Sequence, residues 1–122
     1  VDVPDDLGPV WADPDRFEQI VANLVENAVI HGRGTVRLAA RAGELDGAPA
    51  VDVLVADDGD GIDPQHRELA FSRFWQDGAK QGTGLGLYLV RGLVEAHGGV
   101  IVAEQAPGGG AQLRATFPDR DI

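Results

Sequence analysis

Three short sets of residues carry side chains suited to chemistry. Asn23 and Asn27 stand four apart in an apolar-striped run, so at about 100° per residue they lie only about 40° apart on a helix. Asparagine is a mediocre helix former because its amide competes for the backbone. Two of them on the edge of the stripe, close to Ile20 and His31, point to a polar cleft beside the core. An amide oxygen is a hard ligand suited to Mg²⁺, and an amide NH₂ can donate to a phosphate oxygen. Taken alone, the pair reads more simply as surface or core-satisfied amides.

The second set, Asp57-Asp58-Gly59-Asp60-Gly61-Ile62, follows a strand-length apolar run. A carboxylate at a strand end beside glycines can accept a hydrogen bond from a flat exocyclic amine such as adenine N6, and the glycines let a base lie against backbone. A calcium loop fails here: counted from Asp58, the fifth and twelfth positions are Ile62 and Leu69, where ligands are required. A plain Asp-Gly turn stays open. The third set, Gly82-Thr83-Gly84-Leu85-Gly86-Leu87, opens a helix. Backbone amides at a helix N-terminus, unobstructed by Cβ atoms, make a phosphate cradle aided by the helix dipole. The Rossmann spacing is not met, because Leu87 stands where the third glycine belongs. A Walker A loop is excluded too, since the chain's one lysine, Lys80, precedes Gln81 and not Ser or Thr.

The elements that must position these sets follow from patterning. Val1–Val3 and Val10–Trp11 read as short strand material around a Pro/Gly breaker. Asp13 reads as an N-cap with Pro14 at the first helical position, and Phe17, Ile20, Val21, Leu24, Val25, Ala28 and Val29 form the helical stripe. Thr35–Arg41 alternates as a half-buried strand, Ala42–Pro49 is a turn, and Val51–Ala56 is a central strand. Pro64–Ala70 predicts a short helix. Leu85–His97 predicts a second long one, ended by Gly98-Gly99. Val100–Glu104 and Ala111–Phe117 make a last hairpin about Pro107–Gly110. The order predicts an α+β or two-layer α/β sandwich.

Composition narrows the partners. The chain has 122 residues, enough for one domain, and a formal charge of −10, which argues against nucleic acid or an anionic membrane as partner. No window reaches the roughly 18 apolar residues of a transmembrane helix. With no Cys there is no disulfide, thiolate metal site or cysteine nucleophile, and the lack of any Met suggests a piece of a longer polypeptide. The 17 glycines are about twice the usual ~7%, and eight of them cluster in Gly59/Gly61, Gly82/Gly84/Gly86 and Gly108–Gly110.

Together the sets resemble the catalytic ATP-binding domain of sensor histidine kinases, in the ATPase superfamily that includes gyrase and MutL. The resemblance runs along essentially the whole chain. Asn23–Ala28 resembles the N box, Asp57–Ile62 the G1 box, Phe71-Ser72-Arg73-Phe74 the F box and Gly82–Leu87 the G2 box, and His97-Gly98-Gly99 the family's usual ending. It implies a Bergerat-type sandwich in which a mixed, mainly antiparallel sheet is covered on one face by three helices. By the same resemblance Asn27 is the Mg²⁺ ligand, Asn23 sits near the phosphates, and Asp57 reads the adenine amine. Gly59, Gly61 and Ile62 shape the adenine pocket. Gly82, Thr83, Gly84, Leu85, Gly86 and Leu87 form the lid hinge and phosphate loop, and His31 flanks the nucleotide or simply complements its helix dipole. Arg73 and Lys80 are the cations nearest the lid, and Phe71 and Phe74 pack it.

The resemblance also implies partners. Residues 1–122 are one catalytic domain, its dimerisation and phosphoacceptor domain lies upstream of residue 1, and a response regulator acts indirectly. A cytoplasmic domain without direct membrane contact follows. The sequence departs from the pattern at Ile30, where the family often has Lys or Arg, in the short Trp75–Gln81 stretch, and at Ala111 in place of Thr. These departures predict modest ATP affinity with strong magnesium dependence. His31, His66 and His97 lack the setting of an acceptor histidine. Two other readings stand beside the kinase: an anti-sigma serine kinase of the same fold, favoured by Ile30 and opposed by Asn23, and a degenerate nucleotide-binding docking module.

Overall fold

The computed structural model describes residues 14–31, 34–59, 61–71 and 86–118. Helix α1 spans Pro14–His31, strand β1 Arg37–Leu45 and strand β2 Ala48–Ala56; helix α2 spans Gly86–Ala96, strand β3 Val100–Gln105 and strand β4 Ala111–Pro118. The four strands form one sheet in the order β1-β2-β4-β3, and every pairing is antiparallel. The two terminal strand segments expected at Val1–Val3 and Val10–Trp11 lie outside the described residues.

Side chains alternate across the sheet. Val53 and Val55 of β2, Leu113, Ala115 and Phe117 of β4, and Ile101 and Ala103 of β3 point into one core with Ile20, Leu24 and Ala28 of α1 and Leu87, Val90 and Val94 of α2. Phe17 meets Phe117 edge to face, ring centres 5.3 Å apart, which seats α1 on the middle of the sheet. β2 is buried from Ala50 to Ala56, as a central strand must be. Its one buried acid before the strand end, Asp52, faces the other side and accepts the Thr116 hydroxyl at 2.7 Å.

Three expectations shift. Val29 is 65% exposed although it extends the apolar stripe. Nine residues beyond Ile20, it has turned about 180° to the opposite face of α1. The broad turn expected at Ala42–Pro49 shrinks to Asp46-Gly47, because the β1–β2 ladder continues from Arg37↔Ala56 to Leu45↔Ala48. Both turn residues have positive φ (52° and 81°), the type I′ geometry that an Asp-Gly pair favours in a two-residue hairpin. The helix expected at Pro64–Ala70 is two 3₁₀ turns, Pro64–His66 and Leu69–Phe71, held by i→i+3 bonds. These turns lie with α1 and α2 on the sheet, which is antiparallel throughout the described residues and bears out the α+β sandwich. Arg91 of α2 meets Glu68 at 2.6 Å and lies 5.4 Å from the centre of the Phe71 ring, tying the second turn to α2.

α2 ends as the glycine pair predicted. Gly99 N–H donates to the Val94 carbonyl and Gly98 N–H to the Glu95 carbonyl, each at 3.0 Å. With Gly98 at φ +79° this is a Schellman motif. The His97 ring donates to the Leu93 carbonyl at 2.7 Å. That contact makes it a helix-ending residue.

Candidate nucleotide site

α1 carries Asn23 and Asn27 half-buried beside the fully buried Leu24 and the buried Ala28, which is the edge-of-stripe position their spacing predicts. His31 is the last residue of the same helix. At the far end of β2 the chain leaves the sheet through Asp57, only 6% exposed. Its Oδ1 accepts the Gly59 N–H at 2.7 Å, and its own N–H donates to the Ala111 carbonyl at 3.0 Å. A carboxylate offers about four lone-pair positions, so the Gly59 bond leaves acceptor capacity for a ligand amine.

The turn is tight because backbone meets backbone. Gly110, in the β3–β4 turn, has φ +81°, and a Cβ there would fall 2.1 Å from the Asp57 carbonyl oxygen. Gly61, also at φ +81°, approaches the Gly110 carbonyl, which would lie 3.2 Å from a Cβ. Only glycine suits such a position, since a side chain would both strain φ and collide. Gly59 and Ile62 are half-buried, and Ile62 packs against the core.

The second carboxylate behaves differently. Asp58 is about half exposed, accepts from Arg37 Nη1 at 2.6 Å and from the Thr35 N–H at 3.0 Å. The Arg37 guanidinium, and then the Thr35 amide, hold its carboxyl below the usual carboxylate range. Asp58 stands in the second set without a role of its own, and the triple glycine at 108–110 is the signal for Gly110. Nothing local marks Arg37 and Thr35, whose contacts with Asp58 span more than 20 residues.

The structure thus brings Asp57, Gly59, Gly61 and Ile62 together and sets Asn23 and Asn27 on α1. Gly86 opens α2, while the Leu87 side chain is buried in the core and anchors the helix from within. Arg73, Phe74, Lys80, Gly82, Thr83, Gly84 and Leu85 lie outside the described residues. Among the described residues no three His, Cys, Asp or Glu side chains cluster to hold a metal ion, and no helix is long and apolar enough to cross a membrane.

An open antiparallel sheet with two helices on one face, and a glycine-bounded carboxylate at the end of its central strand, defines a class of α+β domain. Residues 12–121 match the histidine kinase-, DNA gyrase B- and HSP90-like ATPases, and the chain belongs to that family. It is 37% identical over 122 residues to the adaptive-response sensory kinase SasA of Trichormus variabilis, covering 96% of this chain and 30% of that protein. It is 41% identical over 112 residues to the sensor histidine kinase component HK1 of Mycobacterium tuberculosis, covering 89% of this chain and 64% of that one. The chain therefore spans less than two thirds of these relatives. Among solved structures it resembles full-length ShkA in complex with AMPPNP (TM-score 0.79, 36% identity, 96% of this chain and 24% of that one). It also resembles the ATP-binding domain of PrrB from Mycobacterium tuberculosis (TM-score 0.72, 32% identity, 99% and 82%).

Proposed function

We propose that the chain binds Mg-ATP and presents its γ-phosphate to a histidine on a separate dimerisation domain, as the catalytic half of a two-component histidine kinase. The observation that carries this reading is the buried Asp57, pinned at the end of β2 by Gly59, Ala111 and Gly110. A carboxylate so fixed suits recognition of an exocyclic amine, and the glycine turn leaves backbone for a flat ring to lie on. The sensor-kinase relatives and the AMPPNP complex of ShkA support the same assignment.

The residues divide the work. Asp57 accepts from the adenine amine, Gly59, Gly61 and Ile62 bound the ring, and Asn23 donates to phosphate oxygen. Gly82, Thr83, Gly84, Leu85, Gly86 and Leu87 form the phosphate loop, the glycines hinging the lid; Arg73 and Lys80 are the cations that meet the triphosphate, Phe74 packs the lid and His31 flanks the nucleotide. Mg²⁺ fits Asn27: an amide oxygen is a hard donor, and Mg²⁺ commonly takes one or two protein ligands while substrate phosphates and water complete its shell. When bound, the ion neutralises charge developing on the phosphates, which is most of what phosphoryl transfer asks of a protein. The acceptor imidazole attacks the γ-phosphorus as the bond to the β-phosphate oxygen breaks and ADP leaves. In this scheme the chain is a single cytoplasmic domain that works with its own dimerisation domain and, through it, a response regulator.

The test mixes the purified chain with a separately expressed dimerisation domain and radiolabelled ATP. Acid-labile label on that domain's histidine is the expected result. Acid-stable phosphoserine on a partner would favour the serine-kinase reading that Ile30 raises. Nucleotide binding without any transfer would leave a docking module.

A further inference from the structure

The two acids that end β2 are held from opposite sides. Asp57 is tied toward β4 through the Ala111 carbonyl, while the Asp58 carboxylate reaches the chain that enters β1. The β1–β2 ladder starts at Arg37↔Ala56, and continuing that register outward would set Thr35 opposite Asp58. There the Thr35 N–H goes to Asp58 Oδ2 at 3.0 Å, so a side chain takes the place of the next ladder acceptor. The Asp58 main chain is thereby released to turn toward Gly59. Arg37, the first paired residue of β1, donates to Oδ1 at 2.6 Å. Gly34 (φ +70°) lies so close that a Cβ there would sit 3.0 Å from Asp58 Cβ and Oδ2.

We propose that Asp58 is a positioning residue of the nucleotide site: by taking the Thr35 N–H and the Arg37 guanidinium it holds the Asp57–Gly59 turn in the shape that presents Asp57 to the base. This rests on the adenine-reading role given to Asp57 above. The pair is about half exposed on both sides, and exposed ion pairs add little to stability. Loss of Asp58 therefore reads out in base discrimination and hardly in melting.

Calorimetry on the 122-residue chain with Mg-ADP and Mg-GDP tests this, with melting followed by circular dichroism. Asp58→Ala should weaken Mg-ADP about five- to tenfold and narrow the ADP/GDP ratio, the scale of losing a charge-assisted bond, while Tm moves by no more than about 3 °C. Asp58→Asn still accepts from Thr35 and should recover most of the affinity. The Arg37→Met/Asp58→Ala double variant should be no worse than Asp58→Ala, because both remove one contact. If Asp57→Asn loses adenine preference while Asp58→Ala binds as the parent does, the inference is overturned. Equal weakening of ADP and GDP with a fall in Tm also overturns it, in favour of a purely structural role. If the parent chain shows no adenine preference, or Asp57→Asn keeps it, the reading of Asp57 fails first and this one with it.

Discussion

Asp57 and Asp58 are neighbours of one residue type with opposite settings, and the difference decides what each does. Asp57 is buried and bonded within its own turn; Asp58 is exposed and bonded across to β1. Asp57→Asn exchanges part of the acceptor surface for an NH₂ that opposes the adenine amine. Sites that hydrogen-bond a substrate reject the mismatch strongly, so Mg-ADP affinity should fall about 10- to 100-fold and its advantage over Mg-GDP should vanish in calorimetry. Asn27→Ala removes the proposed metal donor, so the difference in ATP affinity between magnesium and EDTA should shrink in the same instrument. For Asp58 the pH dependence has a definite sign. Its carboxyl is held below the ordinary 3.8 by Arg37 and Thr35, so the contact is complete at neutral pH. What it contributes is present above that value and is lost only as pH falls through the lowered one. Titration of Asp58 should therefore leave nucleotide affinity unchanged between pH 6 and 8; a pH-dependent loss in that window that Asp58→Asn removes would contradict the assignment.

At the scale of elements, what was legible in the sequence depended on how local the determining interaction is. α1 and α2 were legible because Ile20, Leu24, Val90 and Val94 recur at helical spacing and all become fully buried. β2 was legible as a nearly continuous apolar run, interrupted only by Asp52, and Asp57 at its end as a carboxylate beside glycines. The short β1–β2 turn was missed because Ala42, Gly43 and Ala48 carry weak strand preference, and pairing along the whole ladder overrode it. The grip of the β3–β4 turn on Asp57 was illegible for another reason: Gly110 and Asp57 are 53 positions apart and meet only after the sheet forms. That grip is testable. Gly110→Ala places a Cβ 2.1 Å from the Asp57 carbonyl at φ +81°, so it should cost about 2–4 kcal/mol in denaturant unfolding through strain and displacement together. Nucleotide binding should weaken with it. By contrast Gly108→Ala in the same turn meets nothing within 4 Å and carries only the φ strain, about 1–3 kcal/mol. If the two variants cost the same, the close approach is not what requires glycine.

On the scale of the whole molecule, a domain of charge −10 is asked to receive a polyanion with one lysine, nine arginines and no cation at position 30. Several of those arginines are already engaged: Arg37 with Asp58, Arg91 with Glu68 and Glu95, and Arg114 with Glu104. The long-range field therefore opposes a nucleotide, and in the proposed reading attraction is left to magnesium, backbone amides and the Arg73 and Lys80 side chains. These two contributions respond to salt differently, because screening acts beyond a Debye length of about 10 Å at 0.1 M and spares close contacts. Stopped-flow association of a fluorescent ATP analogue without magnesium should accelerate as salt rises from about 0.05 to 0.3 M, since the repulsion is screened first. With magnesium the ligand carries less charge, and the same change in salt should alter the rate much less. A rate that falls with salt in both cases would mean that a local cationic funnel, built around Arg73 and Lys80, outweighs the field of the acidic surface.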